Sequence, residues 1–452
     1  MWIEELTIEN IKCFDKTTIR FGTGKAPYPW VTLLGENGGG KSTVLQALGL
    51  LLAGPEGADQ LLKRPEGWLR DEARGGKVTV CIHKDKNDPG NFGVEKARNK
   101  FTYSYWITGS KRLEIESGKV KKIYTDPSII ENTDKILTWL RENALLPKGK
   151  GWFGAGYGAF RRLTRKGGQI NLPSMQNPIR YSNFLTQFEE DQPLTAFEQW
   201  LVSLDYRVLK NGESGKTAAR QRELGIAAIN KLLPEGSAFE SVDEDGRIWF
   251  RVNEARVSTL ALSDGYRSIL ALAGDLVWRL IEAFPDSKDP LKEKGVVLID
   301  ELDIHLHPTW QRQIPQWLRT VFPNIQFIVA THSPLIAAGA GKDAKTYRLS
   351  QDGDGNITVL EIENIAFKGV DAILQSEAFG LVSTYSPEAE ETMQTYLRLK
   401  GKHSPSQEEK QELSQIKPLV REIFDSSDQR MDEEEAAFRQ EVIAYLKKNK
   451  PG

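Results

Sequence analysis

The sequence predicts an α/β protein: a mixed or parallel sheet core carrying a phosphate-binding loop, an antiparallel β edge, an inserted helical lid and a helical C-terminal appendage. Three observations lead there. The apolar run Trp30 to Leu34 feeds into Gly35-Glu36-Asn37-Gly38-Gly39-Gly40-Lys41-Ser42, after which Val44, Leu45, Leu48, Leu51 and Leu52 recur at helical spacing. Far along the chain, Gly295 to Ile299 and Ile325 to Ala330 are short, apolar and β-branched, as strands of a parallel sheet buried on both faces read. Between them in sequence, short alternating runs separated by Gly, Asn, Asp and Pro read as antiparallel strands.

In chain order, Ile3 to Phe21 alternates apolar and polar residues and supplies two strands ahead of Trp30 to Leu34. Val78 to His83, Phe101 to Thr108 and Leu113 to Glu116 continue the β edge, and Pro127 to Leu146 and Tyr181 to Leu233 turn helical. Phe239 to Val242 and Arg247 to Val252 pattern as a hairpin, followed by a helix over Asp264 to Ala283 and another over Thr309 to Val321. The core is thus split by an insertion, giving segments 1–53, 54–252, 253–362 and 363–452. The last is helical and acidic, with 12 Lys and Arg against 17 Asp and Glu, a net of −5. An acidic surface of this kind suits docking of a basic protein partner.

Composition narrows the function. With 452 residues, 39% of them hydrophobic, the chain can bury a sizeable core. Its 60 Lys and Arg balance 62 Asp and Glu, so no overall positive field favours nucleic acid or an anionic membrane. Two cysteines, Cys13 and Cys81, are too few for a disulfide framework or a four-cysteine zinc site, as expected of a reducing cytoplasm. No apolar run approaches a membrane span, and Met1-Trp2-Ile3-Glu4-Glu5 lacks the features of a secretion signal, so a cytoplasmic protein is expected.

The chemistry gathers around Gly35 to Ser42, a complete G-x-x-x-x-G-K-S pattern. Backbone N–H groups presented by glycines at a helix N-terminus surround a β-phosphate, a lysine here reaches the β and γ phosphates, and the serine hydroxyl ligates Mg2+. These roles fall to Lys41 and Ser42. The strand Val296 to Ile299 ends in Asp300-Glu301, which puts Asp300 where it can hold a metal-bound water and Glu301 where it can polarise the attacking water. The next strand ends in Thr331-His332-Ser333-Pro334, so His332 can contact the γ-phosphate. Leu262-Ser263-Asp264-Gly265 opens a helix and offers another anion site.

Taken together, GENGGGKS, VVLIDE, THS and Leu262-Ser263-Asp264-Gly265-Tyr266-Arg267 resemble the motifs of an ATP-binding-cassette (ABC) ATPase head: Walker A, Walker B, H-loop and signature. The resemblance implies ATP and Mg2+ as cofactors. It also implies a homodimer or higher homo-oligomer, in which Ser263 and Gly265 of one chain face Gly35 to Ser42 of another and Asp303 crosses the interface. Ile8-Glu9-Asn10-Ile11-Lys12-Cys13-Phe14 and Leu34-Gly35-Glu36-Asn37-Gly38 are similar to the RecF, SMC and OLD branch, which adds Lys12, Glu36, Asn37 and Thr43 to the nucleotide site. Asp303-Ile304-His305-Leu306-His307-Pro308 and Phe322-Pro323-Asn324-Ile325-Gln326-Phe327 resemble ATPase subunits of bacterial anti-phage systems, the PtuA-like proteins of Septu and retron loci. This similarity spans roughly residues 1 to 365. It implies an ATPase that senses or regulates a separate effector, an HNH-type nuclease, with no nuclease activity of its own. Two other readings stay open, a RecF-like DNA-repair ATPase and a nucleotide-gated scaffold with negligible turnover.

Other features have plainer readings beside the functional ones. Lys148, Lys150, Arg161, Arg162, Arg165 and Lys166 interleave with Trp152, Phe153, Tyr157 and Phe160, a pattern that suits nucleic-acid contact. An ordered loop near the nucleotide is the alternative. His305-x-His307 can ligate a metal or simply shape the turn after Glu301, and Asp352-Gly353-Asp354-Gly355-Asn356 reads as a hairpin turn rather than a carboxylate metal pair. Gln169, Gln176 and Gln187 are candidates for a Q-loop glutamine. Asp432-Glu433-Glu434-Glu435 reads as a solvated helix start.

Overall fold

The chain begins with β1 (Trp2–Ile11), β2 (Phe14–Arg20), a small hairpin of β3 (Gly22–Thr23) and β4 (Ala26–Pro27), β5 (Trp30–Gly35), α1 (Lys41–Ala53) and α2 (Pro55–Leu61). The structure, a computed structural model, describes all residues except 63–66, 86–87, 89–98, 117–118, 132–134, 147–150, 162–179, 190–195, 210–211, 382, 403–405 and 429–452. Next come β6 (Gly76–His83), β7 (Lys100–Glu116), β8 (Lys119–Glu131), α3 (Lys135–Asn143) and β9 (Phe153–Tyr157). The antiparallel sheet runs β2-β1-β6-β7-β8. Its alternation has the expected cause: Leu6, Ile8, Val78 and Val80 face the core, while Thr7 and Thr79 face outward.

α4 (Ala196–Val208) and α5 (Glu213–Leu232) lead to a three-stranded meander, β10 (Ser237–Val242), β11 (Ile248–Val252) and β12 (Ala255–Ser258). Then follow α6 (Asp264–Ala283), β13 (Gly295–Ile299), α7 (Pro308–Val321), β14 (Ile325–Ala330), α8 (Pro334–Gly339), β15 (Lys345–Gln351) and β16 (Ile357–Ile362). The central sheet has the order β16-β15-β5-β14-β13-β9, parallel apart from β16. Along β13, Val296 and Leu298 pack toward α1 and the antiparallel sheet, whereas Val297 and Ile299 pack toward α6. Burial on both faces is why this strand reads as an unbroken apolar run. Gln326 is the polar exception. Fully inside, it accepts from Ile3 N at 2.8 Å and donates to Ile3 O and Phe21 O, tying the two sheets together.

Five sequence expectations are redrawn. Phe101 to Thr108 and Leu113 to Glu116 belong to one strand, β7, and Pro127 to Glu131, read as helical, continues β8 because it pairs with Tyr105 to Gly109. The segment 54–252 is not wholly edge and lid, since β9 lies inside it and joins the central sheet beside β13. The hairpin at 239–252 gains β12 as a third strand. Finally, the expected appendage from 363 divides further along: one compact unit is Met1–Gly380 and the other Leu381–Gly452. Residues 363–380, including α9 (Val370–Leu374), stay with the first unit because Ile365, Ile373 and Ala378 bury against Leu34 and Ala337. The second unit pairs α10 (Pro387–Lys400) with α11 (Gln407–Asp428), and Asp432 to Glu435 lie outside the described residues. Among the described residues, no helix is long and apolar enough to cross a membrane.

The Asp352–Asn356 segment is the expected hairpin turn. Asp352 Oδ1 accepts from the N–H groups of Asp354 and Asn356, and Gly355 takes φ 79°.

Candidate nucleotide site

β5, β9, β13 and β14 run parallel, so their carboxyl ends reach one edge and each releases a loop there. Backbone bonds stitch that edge: Asp300 N donates to Tyr157 O at 2.8 Å, Leu302 N to Ala330 O at 3.2 Å and Thr331 N to Leu33 O at 3.2 Å.

The loop after β5 needs its glycines. Gly35 adopts φ 149° and Gly40 φ 87°, and a side chain on Gly35 would overlap the Leu349 carbonyl, while one on Gly40 would stand 2.5 Å from the Phe14 ring. Glu36, Asn37 and Gly38 are exposed and Gly39 is buried. The Lys41 ammonium folds over the loop, donating to Gly35 O at 2.8 Å and Glu36 O at 3.0 Å. Burial pulls its pKa down, opposed by the carboxylates of Asp300, Glu301 and Asp303.

Asp300 faces this loop. Its carboxylate accepts from the Ser42 hydroxyl, yet its Oδ1 is buried without a partner. Burial raises its pKa, with Ser42, Arg161 and Lys41 pulling the other way. Glu301 follows in the left-handed region at φ 45°, and its pKa is raised by burial, then by Asp300 and Asp303. Such a carboxylate is a stronger base than an exposed glutamate. His332 lies close enough to counter this shift, and its backbone N–H donates to Asp303 Oδ1 at 3.2 Å. Thr331 also bonds Asp303 Oδ1, so the Asp303 carboxylate fastens the β13 and β14 loops within one chain.

The remaining expected residues are distributed around this centre. Thr43 is buried in the first turn of α1. Lys12, at φ 47° in the β1–β2 turn, donates to Gln46 Oε1 at 2.9 Å and sits 4.6 Å over the Trp68 ring. It lines a cavity of about 410 Å3 with Gln46, Trp68 and Phe188. Ser263 is the exposed N-cap of α6, while Gly265 is buried so tightly that a Cβ would stand 2.8 Å from His305 O. The two halves of the signature therefore differ: Ser263 faces outward and Gly265 packs on the loop after Glu301. α6 is pinned to β9 by Tyr157, which donates to Asp275 Oδ2 at 2.9 Å, an oxygen shared with Arg279 Nε at 2.5 Å.

Arg161 takes the second of the two readings of its stretch, an ordered loop near the nucleotide site. Offered as part of a nucleic-acid patch, it is buried at the end of the β9 loop, donating to Gly158 O at 2.7 Å, Glu301 O at 2.8 Å and Asp300 O. Its pKa falls to about 10 through burial, despite Asp300, Asp303 and Glu301 nearby. Trp152, Phe153 and Tyr157 are likewise core residues and cannot stack on bases. Phe160 is exposed, and Lys148, Lys150, Arg162, Arg165 and Lys166 lie outside the described residues. The readable signal was the apolar Phe153-Gly-Ala-Gly-Tyr157 run ahead of a glycine turn. Arg161→Ala leaves the buried Gly158 carbonyl and the partly buried Asp300 and Glu301 carbonyls short of a donor and frees Glu301, so an expected cost of about 3 kcal/mol in unfolding free energy should appear in urea titration. Arg161→Lys should recover little of it, since an ammonium lacks the planar fork.

His307 Nδ1 accepts from Thr309 N at 3.3 Å, capping α7, and His305 turns the chain at φ 65°. Among the described residues neither histidine joins a metal-ligand cluster. Gln187 lies in a 3₁₀ turn with its side chain against Gly49 and Gly156, whereas Gln169 and Gln176 lie outside the described residues.

Comparison with known proteins agrees with this geometry. Residues 31–338 match the family described as "AAA domain, putative AbiEii toxin, Type IV TA system". The chain is 26% identical over 432 residues to the Septu protein PtuA of Bacillus mycoides (strain KBAB4), covering 92% of this chain and 50% of that protein. An 84-residue stretch is 49% identical to the retron Vc95 probable ATPase of Vibrio cholerae serotype O1 biovar El Tor, covering 19% of this chain and 16% of that one. The chain thus spans half the length of the first relative and a small part of the second. An SMC head bound to the C-winged helix domain of ScpA shares the fold, with TM-score 0.50 and 16% identity over 81% of this chain and all of the other. The chain belongs to this AAA-domain family, within the RecF, SMC and OLD branch of ABC-type ATPases.

Proposed function

We propose that the chain binds and hydrolyses ATP with Mg2+ and, as a homodimer or higher homo-oligomer in the cytoplasm, controls a separate effector in anti-phage defence. The observation that carries this is the meeting of Lys41, Ser42, Asp300 and Glu301 at one sheet edge, with a buried Asp300 oxygen left unpartnered beside the Ser42 hydroxyl. A hydroxyl and a carboxylate are hard oxygen donors and fit Mg2+, whose bound water would satisfy that oxygen. Mg2+, when bound, neutralises phosphate charge.

In this reading the loop N–H groups of Gly35 to Ser42 hold the phosphates and Lys41 leaves the Gly35 and Glu36 carbonyls to meet them. Ser42 and Asp300 hold the metal. Glu301, its backbone clamped by Arg161, accepts the proton of the attacking water, and His332 contacts the γ-phosphate. Lys12 and Thr43 support the nucleotide from the β1–β2 turn and α1. Ser263 and Gly265 complete the site of a second copy, with Asp303 beside them. Turnover of ATP by the purified chain with and without Mg2+ tests the first half of this proposal, and no turnover in either condition leaves a nucleotide-gated scaffold.

The names of the relatives support the defence role, and an HNH-type nuclease is the effector we expect, with no nuclease activity in this chain. The acidic region after Gly380 is the natural dock for it. Leu397 and Leu419 are exposed there on α10 and α11. Deleting Ser404 to Gly452 should leave ATP binding unchanged and release the co-expressed effector in a pull-down. Retention of the effector would move the contact to the lid between Gly54 and Val252.

A further inference from the structure

Away from the nucleotide site, Glu4, Cys81 and His83 turn their ligating atoms to one point, all within 4.8 Å of one another. Glu4 precedes Lys12 by eight residues of β1, roughly 25 Å at strand rise. We propose that Glu4, Cys81 Sγ and His83 Nε2 form a three-ligand site for a thiophilic divalent cation, Zn2+ before others, on the outer face of the antiparallel sheet.

The sheet itself builds the cluster. Cys81 and His83 stand two apart on β6 and so share a face, opposite the core residues Val80 and Ile82. On β1 the register slips, with Ile3 paired to Ile82 and Glu5 to Cys81, which leaves Glu4 as the extra residue of a bulge. A bulge re-aims a side chain, and here the carboxylate turns between the thiol and the imidazole. Glu4 Oε2 lies 3.5 Å from Cys81 Sγ and makes a short contact with His83 Nε2. Tetrahedral Zn2+ with sulfur at about 2.3 Å and oxygen at about 2.0 Å holds those two ligands roughly 3.5 Å apart. Trp2 stacks on His83 at 4.2 Å and 6°, fixing the ring plane, and Cys81 and His83 are both buried.

A cation already visits the point. Lys100, opposite His83 on β7, places Nζ 2.8 Å from Glu4 Oε2, although its side chain is half exposed and can swing out. Burial tends to raise the Glu4 pKa, yet hydrogen bonds from Lys100, His83 and Cys81 hold it at about 2, so the carboxylate is ionised. Burial raises the pKa of the Cys81 thiol. As the metal binds, the Cys81 thiol gives its proton to solvent and the proton that His83 Nε2 holds toward Glu4 moves to Nδ1, leaving a neutral imidazole with Nε2 free to ligate, so that one proton is released and affinity increases with pH. A mixed S, N, O set suits Zn2+ rather than Mg2+ or Ca2+.

Co2+ titration of the full nucleotide-free chain, read by thiolate-to-cobalt charge-transfer absorption, tests the site. One Co2+ per chain should bind, be displaced by Zn2+ and release protons. Cys81→Ser should remove the charge-transfer band, His83→Ala should weaken binding at least tenfold, Cys13→Ser should change nothing, and Lys100→Met should tighten binding. A wild-type chain that shows no saturable thiolate–cobalt absorption overturns the proposal without any variant, leaving a hydrogen-bonded Lys100–Glu4–His83 cluster. Loss of the band in Cys13→Ser rather than in Cys81→Ser overturns it equally.

Discussion

Glu301→Gln should hold ATP about as tightly as the wild type and turn it over about 10²- to 10³-fold more slowly. The amide keeps the shape of the side chain, and the Arg161 clamp acts on the Glu301 carbonyl, which the substitution leaves in place. What is lost is the proton acceptor, whose basicity is raised by burial and by Asp300 and Asp303. Lys41→Ala should instead weaken ATP binding itself by about 100-fold or more, since the only ammonium on the loop is removed. The same carboxylate sets the pH dependence. Its pKa is raised, so the working, ionised form is lost as pH falls through a value above the ordinary glutamate pKa of about 4.3. The acid limb of turnover should therefore sit higher than for an exposed glutamate, and it should vanish in what residual activity Glu301→Gln retains. Equal turnover in wild type and Glu301→Gln would remove Glu301 from the chemistry.

Ser263→Arg and Lys41→Ala should each abolish turnover alone, and a one-to-one mixture should regain roughly a quarter of it, half the dimers with one intact site each. The reason lies in the two environments of the signature. Ser263 is exposed at the α6 N-cap, whereas Gly265 packs against His305 and has no room for a ligand on that side. An exposed N-cap hydroxyl can face a phosphate held by another chain. Pairing by ATP also predicts that the Glu301→Gln protein sediments as a dimer with ATP and as a monomer without it. A mixture with parental activity, together with an ATP-bound monomer in sedimentation, would end the shared-site idea.

The core is legible in the amino-acid order alone: the glycine loop, its strand and helix, the strands ending in Asp300 and Thr331, and the helix Asp264–Ala283 stand in the structure as read. These elements are legible because local spacing carries them. A β-branched run buried on both faces, or a glycine loop that permits positive φ, needs no distant partner to be recognised. The remaining features follow from long-range packing. Phe153–Tyr157 becomes a core strand only because β13 offers it a parallel edge, and that pairing turns Arg161 from a surface cation into the clamp on Asp300 and Glu301. Residues 363–380 stay with the head because Ile365 and Ile373 pack with Ala337 and with Leu34, the latter more than 300 residues earlier in the chain and outside any local window. The Glu4, Cys81 and His83 cluster depends on a one-residue register slip between β1 and β6. Periodicity fixes which face of a strand is buried, but the partner and the register belong to long-range packing, and there chemistry that is scattered along the chain is brought to one point.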